Sequence, residues 1–181
     1  MANESKVRDG RGGREVDPWR FAGSFLQGIL SRSIPDVPSH GEIPWSPFTK
    51  SLAEAKVALL STAGISMKGD EPFDMEYERQ NPTRGDSKFR RLQADATADR
   101  IEANHLHIDT SFIKRDLNVA LPLDRLRDLV GEGHVGSMAE THYSIMGFQG
   151  ADSSQLENES APAIAEIMKS EEVDLALLTP V

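Results

Sequence analysis

The sequence predicts an α/β fold: a doubly wound, mainly parallel sheet with flanking helices, incomplete at its C-terminus. Three observations predict it. Short apolar runs recur along the chain, KVALLSTAG, IEANHLHI, HYSIMGF and VDLALL, and runs of this length read as buried strands. Segments of helical period lie between the later runs, which argues for strand–helix–strand crossovers. The last run closes the sequence with no helix after it, an ending that leaves part of one sheet face uncovered.

The elements follow in order. Residues 1–15, rich in Gly and charge, read as a mobile N-terminus. Residues 16–55 read as an N-terminal helix and a Pro-rich extended segment: a helix over 17–33 started by Asp17 and Pro18, then Pro35, Pro38, Pro44 and Pro47, with Trp45 and Phe48 as anchors and a short helix at Ser51–Ala55. Residues 56–181 form the α/β domain. Its first strand, in KVALLSTAG, closes in a turn, and residues 65–100 read mostly as loop. Residues 101–108 predict a second strand, and Asp109–Val119 a polar connection. A helix starts at Pro122 with Leu123, Leu126, Leu129 and Val130 on one face, and Gly131 and Gly133 end it. His142–Phe148 predicts a third strand, Ser160–Ser170 a helix with Ile164, Ile167 and Met168 inward, and Val173–Leu178 a fourth strand buried on both faces.

Composition narrows the function. No apolar run approaches the ~20 residues of a membrane helix, and the first residues lack a signal-peptide core. The expected location is the cytoplasm, with no membrane partner. A formal net charge of -9 disfavours nucleic acid, whose phosphates need a basic face. There is no cysteine among the 181 residues, so they hold no disulfide, no Cys-ligated metal and no thiol nucleophile.

The densest polar cluster is His105-Leu-His107-Ile-Asp109, followed by Asp116 and Asn118. In a strand, His105, His107 and Asp109 share a face, a geometry for a metal or for an acid–base pair. The plainer alternative is that they hydrogen-bond a loop at the sheet edge. The pattern offers no assured fourth ligand, so no metal is assigned. A cleft role fits better, because open α/β sheets bind ligands beyond the carboxyl ends of their strands. Thr62 and Gly64, in Ser-Thr-Ala-Gly-Ile-Ser-Met-Lys-Gly-Asp, close the first strand and place backbone N–H groups at the same edge. That loop lacks the spacing of a nucleotide-binding motif. His134, Glu140 and His142 lie in a further polar stretch whose spacing demands no shared cleft.

The series KVALLSTAGISMKGDEPFD (56–74), HLHIDTSFIKRDLN (105–118), ALPLDRLRDLVGEGHVGSMAETHYSIMGF (120–148) and VDLALLTPV (173–181) resembles the glycine/sarcosine/betaine/D-proline reductase selenoprotein B family. The resemblance implies reductive cleavage of a carbon–nitrogen bond in an amino acid or amine. It implies a selenocysteine or cysteine just after the position of Val181, a partner reductase subunit carrying a pyruvoyl group, a thiol or thioredoxin-type electron donor, and an oligomer. His105, His107, Asp109, Asp116 and Asn118, with Thr62 and Gly64, are the expected cleft residues, and no catalytic nucleophile lies within the chain. The expectation for Val181 is that the next codon is UGA, read as selenocysteine; a split protein and proteolytic processing are the rivals. Two other functions stand beside the reductase: a non-catalytic α/β binding or regulatory module of the same family, and a His-dependent metalloenzyme.

Overall fold

The computed structural model describes Gly28 and residues 46–81, 84–106, 108–150 and 152–181. The chain divides into two units, Met1–Trp45 and Ser46–Val181. The elements below all belong to the second. The mobile N-terminus, the helix over 17–33, Trp45 and most of the Pro-rich segment lie outside the described residues, as does His107.

In chain order the elements are β1 (Lys56–Ser61), β2 (Ile65–Met67), α1 (Met75–Gln80), β3 (Arg90–Gln93), β4 (Ile101–Ala103) and α2 (Ser111–Arg115). Then come α3 (Leu123–Gly131), β5 (Ser137–Met138), β6 (Thr141–Ser144), α4 (Ala161–Ser170) and β7 (Leu175–Thr179). β1 is the centre of the main sheet. β7 runs parallel beside Val57–Ser61 without a break. β5 and β6 face Lys56–Val57 and Leu60–Ser61, also in parallel, and so share the opposite side of β1. β3 adds an antiparallel strand to β6. β2 and β4 form a separate antiparallel ribbon.

Alternation along β1 sends side chains to two cores. Val57 and Leu59 pack with Leu92, Leu117, Leu121, Leu123 and Leu126 on one face. Ala58 and Leu60 pack with Tyr143 and α4's Ile164, Ile167 and Met168 on the other. Helix α3 begins after Pro122, buries Leu123 and Leu126, and is followed by Gly133 at φ 76°, a left-handed stop. Between β5 and β6 the register steps from Val57↔Met138 to Leu60↔Tyr143, so two residues of β1, Ala58 and Leu59, face the four of Ala139–His142. This bulge leaves the Leu59 N–H without a backbone acceptor on that side, and the His142 Nδ1 takes it at 2.9 Å. The Glu171 carboxylate accepts the bulge's own Glu140 and Thr141 N–H groups at 3.2 and 3.1 Å.

The α/β class holds; the sheet is mixed, parallel about β1 and antiparallel at β3, where a doubly wound, mainly parallel sheet was expected. Residues 65–100, expected to be mostly loop, contain β2, α1 and β3. The strand expected over 101–108 ends at Ala103 and pairs with β2, outside the main sheet. The Asn104 N–H donates to the Gly64 carbonyl at 2.9 Å, closing the ribbon, so His105 leaves along a loop. The connection expected over Asp109–Val119 holds α2 and a 3₁₀ turn at Leu117–Val119. The third strand stops at Ser144, where the chain bends to bridge Met146 against Ala63. At Ser51–Ala55 a 3₁₀ turn, Leu52–Glu54, replaces the expected helix. Leu129 on α3 and Phe48 are 41% and 42% exposed, so neither is core. The fourth strand is not buried on both faces: Leu177 is 48% and Leu178 63% exposed. Among the described residues β7 pairs only with β1, which leaves its outer edge open.

Candidate functional site at the carboxyl edge of the sheet

The carboxyl ends of β1, β6 and β7 meet at Thr62. The Thr62 N–H donates to the Thr179 carbonyl at 3.2 Å. The Thr62 Oγ1 in turn accepts the Val181 N–H at 2.8 Å. The Thr179 hydroxyl lies 3.2 Å from the Leu60 carbonyl and 3.1 Å from that of Ala120, both acceptors. One threonine thus joins β7, β1 and the turn that leads into α3. Gly64 sits beside this junction at φ +61°, and an added Cβ would lie 2.4 Å from the Met146 Sδ and 2.7 Å from the Asn104 carbonyl. A Cβ on Gly147 would press against Thr62 at 3.2 Å. The sheet edge is therefore kept free of side-chain bulk where its backbones approach most closely.

The expected cleft residues divide into groups. Thr62 and Gly64 are at the edge itself. His105, half-buried, follows Asn104, whose N–H is held by Gly64. Asp116 and Asn118 are together: the Asp116 Oδ1 accepts both the Asn118 N–H at 3.0 Å and its side-chain amide at 2.8 Å. The same amide donates to Asp124 at 2.8 Å, and the Asn118 Oδ1 caps α3 by accepting the Asp124 N–H at 2.9 Å. Hydrogen bonds from Asn118 hold the Asp116 carboxyl below the usual carboxylate range. This knot sits two residues before Ala120, which touches Thr179. Asp109 is exposed, and its Oδ1 accepts the Ser111 N–H at 2.9 Å at the start of α2; hydrogen bonds from the Ser111 side chain and backbone keep its carboxyl low. No hydrogen bond among the described residues ties Asp109 to the Asp116–Asn118 knot. A cavity of about 150 Å3 is lined by Asp116, Asp124 and Arg115 but not by Asn118. Among the described residues no three His, Asp or Glu side chains are grouped to hold a metal ion.

Sequence reasoning missed Thr179 and the framework around Arg90. Arg90 is buried, pairs with Asp86 at 2.9 Å, and donates to the Glu71 and Pro72 carbonyls at 2.7 and 2.6 Å. Its guanidinium lies 4.3 Å from the centre of the Phe73 ring. An Asp and an Arg four residues apart in a polar stretch signal none of this. His142 was a polar residue of open role. It is fully buried, its Nδ1 accepts from Leu59, and burial pushes it down to about 4. The ring is therefore neutral with its proton on Nε2, which is buried and has no hydrogen-bond partner among the described residues. Its visible work is to complete the bulge.

The family model described as Glycine/sarcosine/betaine reductase selenoprotein B matches residues 32–181. The chain belongs to this family. Within it, the chain is 34% identical over 135 residues to the D-proline reductase subunit gamma of Acetoanaerobium sticklandii, covering 75% of the chain and 52% of that subunit. It is 30% identical over 145 residues to the glycine reductase complex component B subunit gamma of Symbiobacterium thermophilum, covering 79% of the chain and 32% of that subunit. The sarcosine reductase complex component B subunit beta of Peptoclostridium acidaminophilum is 30% identical over 111 residues, covering 61% of the chain and 25% of that subunit. The chain therefore spans about half the length of the first relative and a third or less of the other two. No solved structure matches it. The selenoprotein B resemblance carried by the four motif segments is thus met. Among the described residues, no helix is long and apolar enough to cross a membrane.

Proposed function

We propose that this chain supplies the sheet-edge part of a selenoprotein B-type reductase that cleaves a carbon–nitrogen bond in an amino acid or amine. The observation that carries this is the Thr62 junction. It gathers the carboxyl ends of three parallel strands beside two glycines, the place where α/β sheets bind ligands. In the net reaction the carbon gains a hydrogen, ammonium or an amine departs, and a dithiol donor gives two electrons and two protons and becomes a disulfide. A soft nucleophile is required, because only sulfur or selenium adducts are resolved by a thiol. With no cysteine among these residues, the selenocysteine or cysteine comes from outside them, and a pyruvoyl carbonyl from a partner subunit. Thr62, Gly64 and the Asp116–Asn118 knot fit a supporting role, since they fix backbone and leave space rather than offer a nucleophile.

The test is complementation in the cytoplasmic enzyme class to which this reading assigns the chain. The chain is combined with the remaining subunits of a D-proline or glycine reductase, and dithiol-dependent amine release is measured. Turnover that requires the chain supports the reading. Complexes that turn over equally well without it, or that bind it without any gain, refute the reading in favour of a non-catalytic binding module, which the absence of cysteine favours.

A further inference from the structure

The main sheet presents β3 on one side and β7 on the other, and the two strands differ in character. β3 alternates: Arg90 and Leu92 are buried, while Arg91 and Gln93 face water. Polar and charged side chains of this kind keep an exposed sheet edge from pairing with another chain. β7 reads Leu175-Ala-Leu-Leu-Thr179. It carries no charge and no proline, and Ala176, Leu177 and Leu178 are all exposed. It lies against β1 in unbroken parallel register, so no bulge twists its edge away. Among the described residues no strand lies along its outer row of N–H and C=O groups.

Both cores run out at this strand. The register sets Leu59 beside Leu177 and Leu60 beside Leu178, and side chains paired in this way share a face. Leu59 is fully buried, whereas Leu177 is 48% exposed. On the other face Leu60 is half-buried and Leu178 is 63% exposed. Apolar side chains uncovered on both faces of an unpaired edge call for a strand flanked by apolar layers, not for a lid on one face. Near-continuous apolar strands mark parallel sheets covered on both sides, and β5, β6 and β7 all run parallel to β1. A second copy related by a two-fold axis would instead pair β7 with β7 antiparallel, and would bring together two chains each of net charge -9. The relatives carry the length that a parallel addition needs. The match covers 52% of the D-proline reductase subunit gamma and 32% of the glycine reductase component B subunit gamma, so a stretch comparable to this whole domain lies outside it. A parallel strand with its crossover helix takes only ~30 residues.

We propose that the outer edge of β7 is a docking seam for the polypeptide that these relatives carry beyond the match, which adds a strand parallel to β7 and covers Leu177 and Leu178 with an apolar layer on each face. The seam does not depend on the reductase reading, since a non-catalytic module of the same family would use it equally. It has a consequence for the carboxyl edge. A parallel strand ends at the same edge as its neighbour, about 4.8 Å away. The carboxyl end of the added strand therefore comes beside Thr179, whose hydroxyl is held on the Leu60 and Ala120 carbonyls, and next to the Thr62 junction.

The test uses the 181-residue chain and, as probe, the stretch of the Acetoanaerobium sticklandii D-proline reductase subunit gamma that lies outside the match, co-expressed as a separate polypeptide. The corresponding stretch of the Symbiobacterium thermophilum glycine reductase subunit is a second probe. Sedimentation and amide hydrogen exchange are the readouts. Alone, the chain should sediment as a monomer, and the β7 amides turned away from β1 should exchange quickly. With a probe it should form a one-to-one complex in which those amides slow about tenfold or more. Leu178→Lys sets a charge in an apolar layer and should weaken the complex about tenfold or more. The same variant should keep the urea midpoint of the chain alone, because that side chain lies mostly in water there. Arg91→Ala, on the β3 side of the sheet, should leave the complex intact. No complex with either probe, slow exchange of every β7 amide in the isolated monomer, a dimer of the chain paired through β7, or a complex that Leu178→Lys leaves unchanged overturns the proposal.

Discussion

Acid should unfold this domain through His142, and the size of the effect follows from its surroundings. The imidazole is fully buried between β1 and the β5–β6 bulge, and burial lowers it from 6.5 to about 4. Protonation would place a donor on Nδ1, where the Leu59 N–H already points. Below pH 6.5 the unfolded chain binds a proton that the folded chain refuses, so stability falls as pH falls and the loss is complete only below about 4. At 1.36 kcal/mol per pH unit the full gap is worth about 3 kcal/mol, of which about 2 kcal/mol should be lost between pH 7 and 4.5. The comparison is His142→Asn, whose Oδ1 occupies the Nδ1 position and accepts the Leu59 N–H without titrating. Urea midpoints measured from pH 7 to 4.5 should show the parent falling more steeply than the variant by about that amount. Carboxylates such as Asp116 and Asp124, held below their usual range by Asn118, contribute to both proteins alike and drop out of the difference. Parallel stability curves for the two proteins would refute the assignment of a buried neutral imidazole.

Gly64→Ala should destabilise by about 2–5 kcal/mol, from a left-handed backbone that alanine resists plus overpacking against Met146 and the Asn104 carbonyl. Adding Met146→Ala should recover only part of this, because the carbonyl clash stays; denaturant unfolding of both variants checks it. Asn118→Ala removes the bonds to Asp116 and Asp124 and the cap on α3, and should cost about 1–2 kcal/mol by the same assay. The purified 181-residue chain alone should release no ammonia or amine from any amino acid in the presence of a dithiol, since it has no thiol nucleophile; an ammonia assay reads this directly, and dithiol-dependent release would overturn it.

The sequence carried β1, α3, α4 and β7 as elements because each has a compact apolar signature, although packing leaves Leu129 of α3 and Leu177 and Leu178 of β7 exposed. Val57–Leu60 and Ile164, Ile167 and Met168 lie in the cores their patterns require. What it did not carry was decided by single long-range bonds. The strand expected through Ile108 ends at Ala103 because Asn104 is held by Gly64, forty residues earlier. β3 has Arg90 and Arg91 at its start, and a strand beginning with two arginines reads as loop until the Asp86, Glu71 and Pro72 partners of Arg90 are known. The bulge between β5 and β6 has no local signature, since the groups that stabilise it come from Leu59 and Glu171. At the candidate site, Thr62 and Gly64 were legible as the turn that closes a strand.

The motifs that make the family recognisable and the groups that bind a substrate need not coincide. Asp116-x-Asn118 and Pro122-Leu-Asp124 look like one chemical signature, yet their side chains are committed to one another: Asn118 binds Asp116 and Asp124 and caps α3. Such a knot has little capacity left for a ligand, since the acceptors most exposed to its approach already hold N–H groups. Its influence runs through the backbone instead. It fixes the turn whose Ala120 carbonyl receives the Thr179 hydroxyl, and Thr179 in turn sets where β7 ends beside Thr62. A motif of this kind constrains sequence as strongly as a catalytic group does, because losing one member leaves the others unsatisfied.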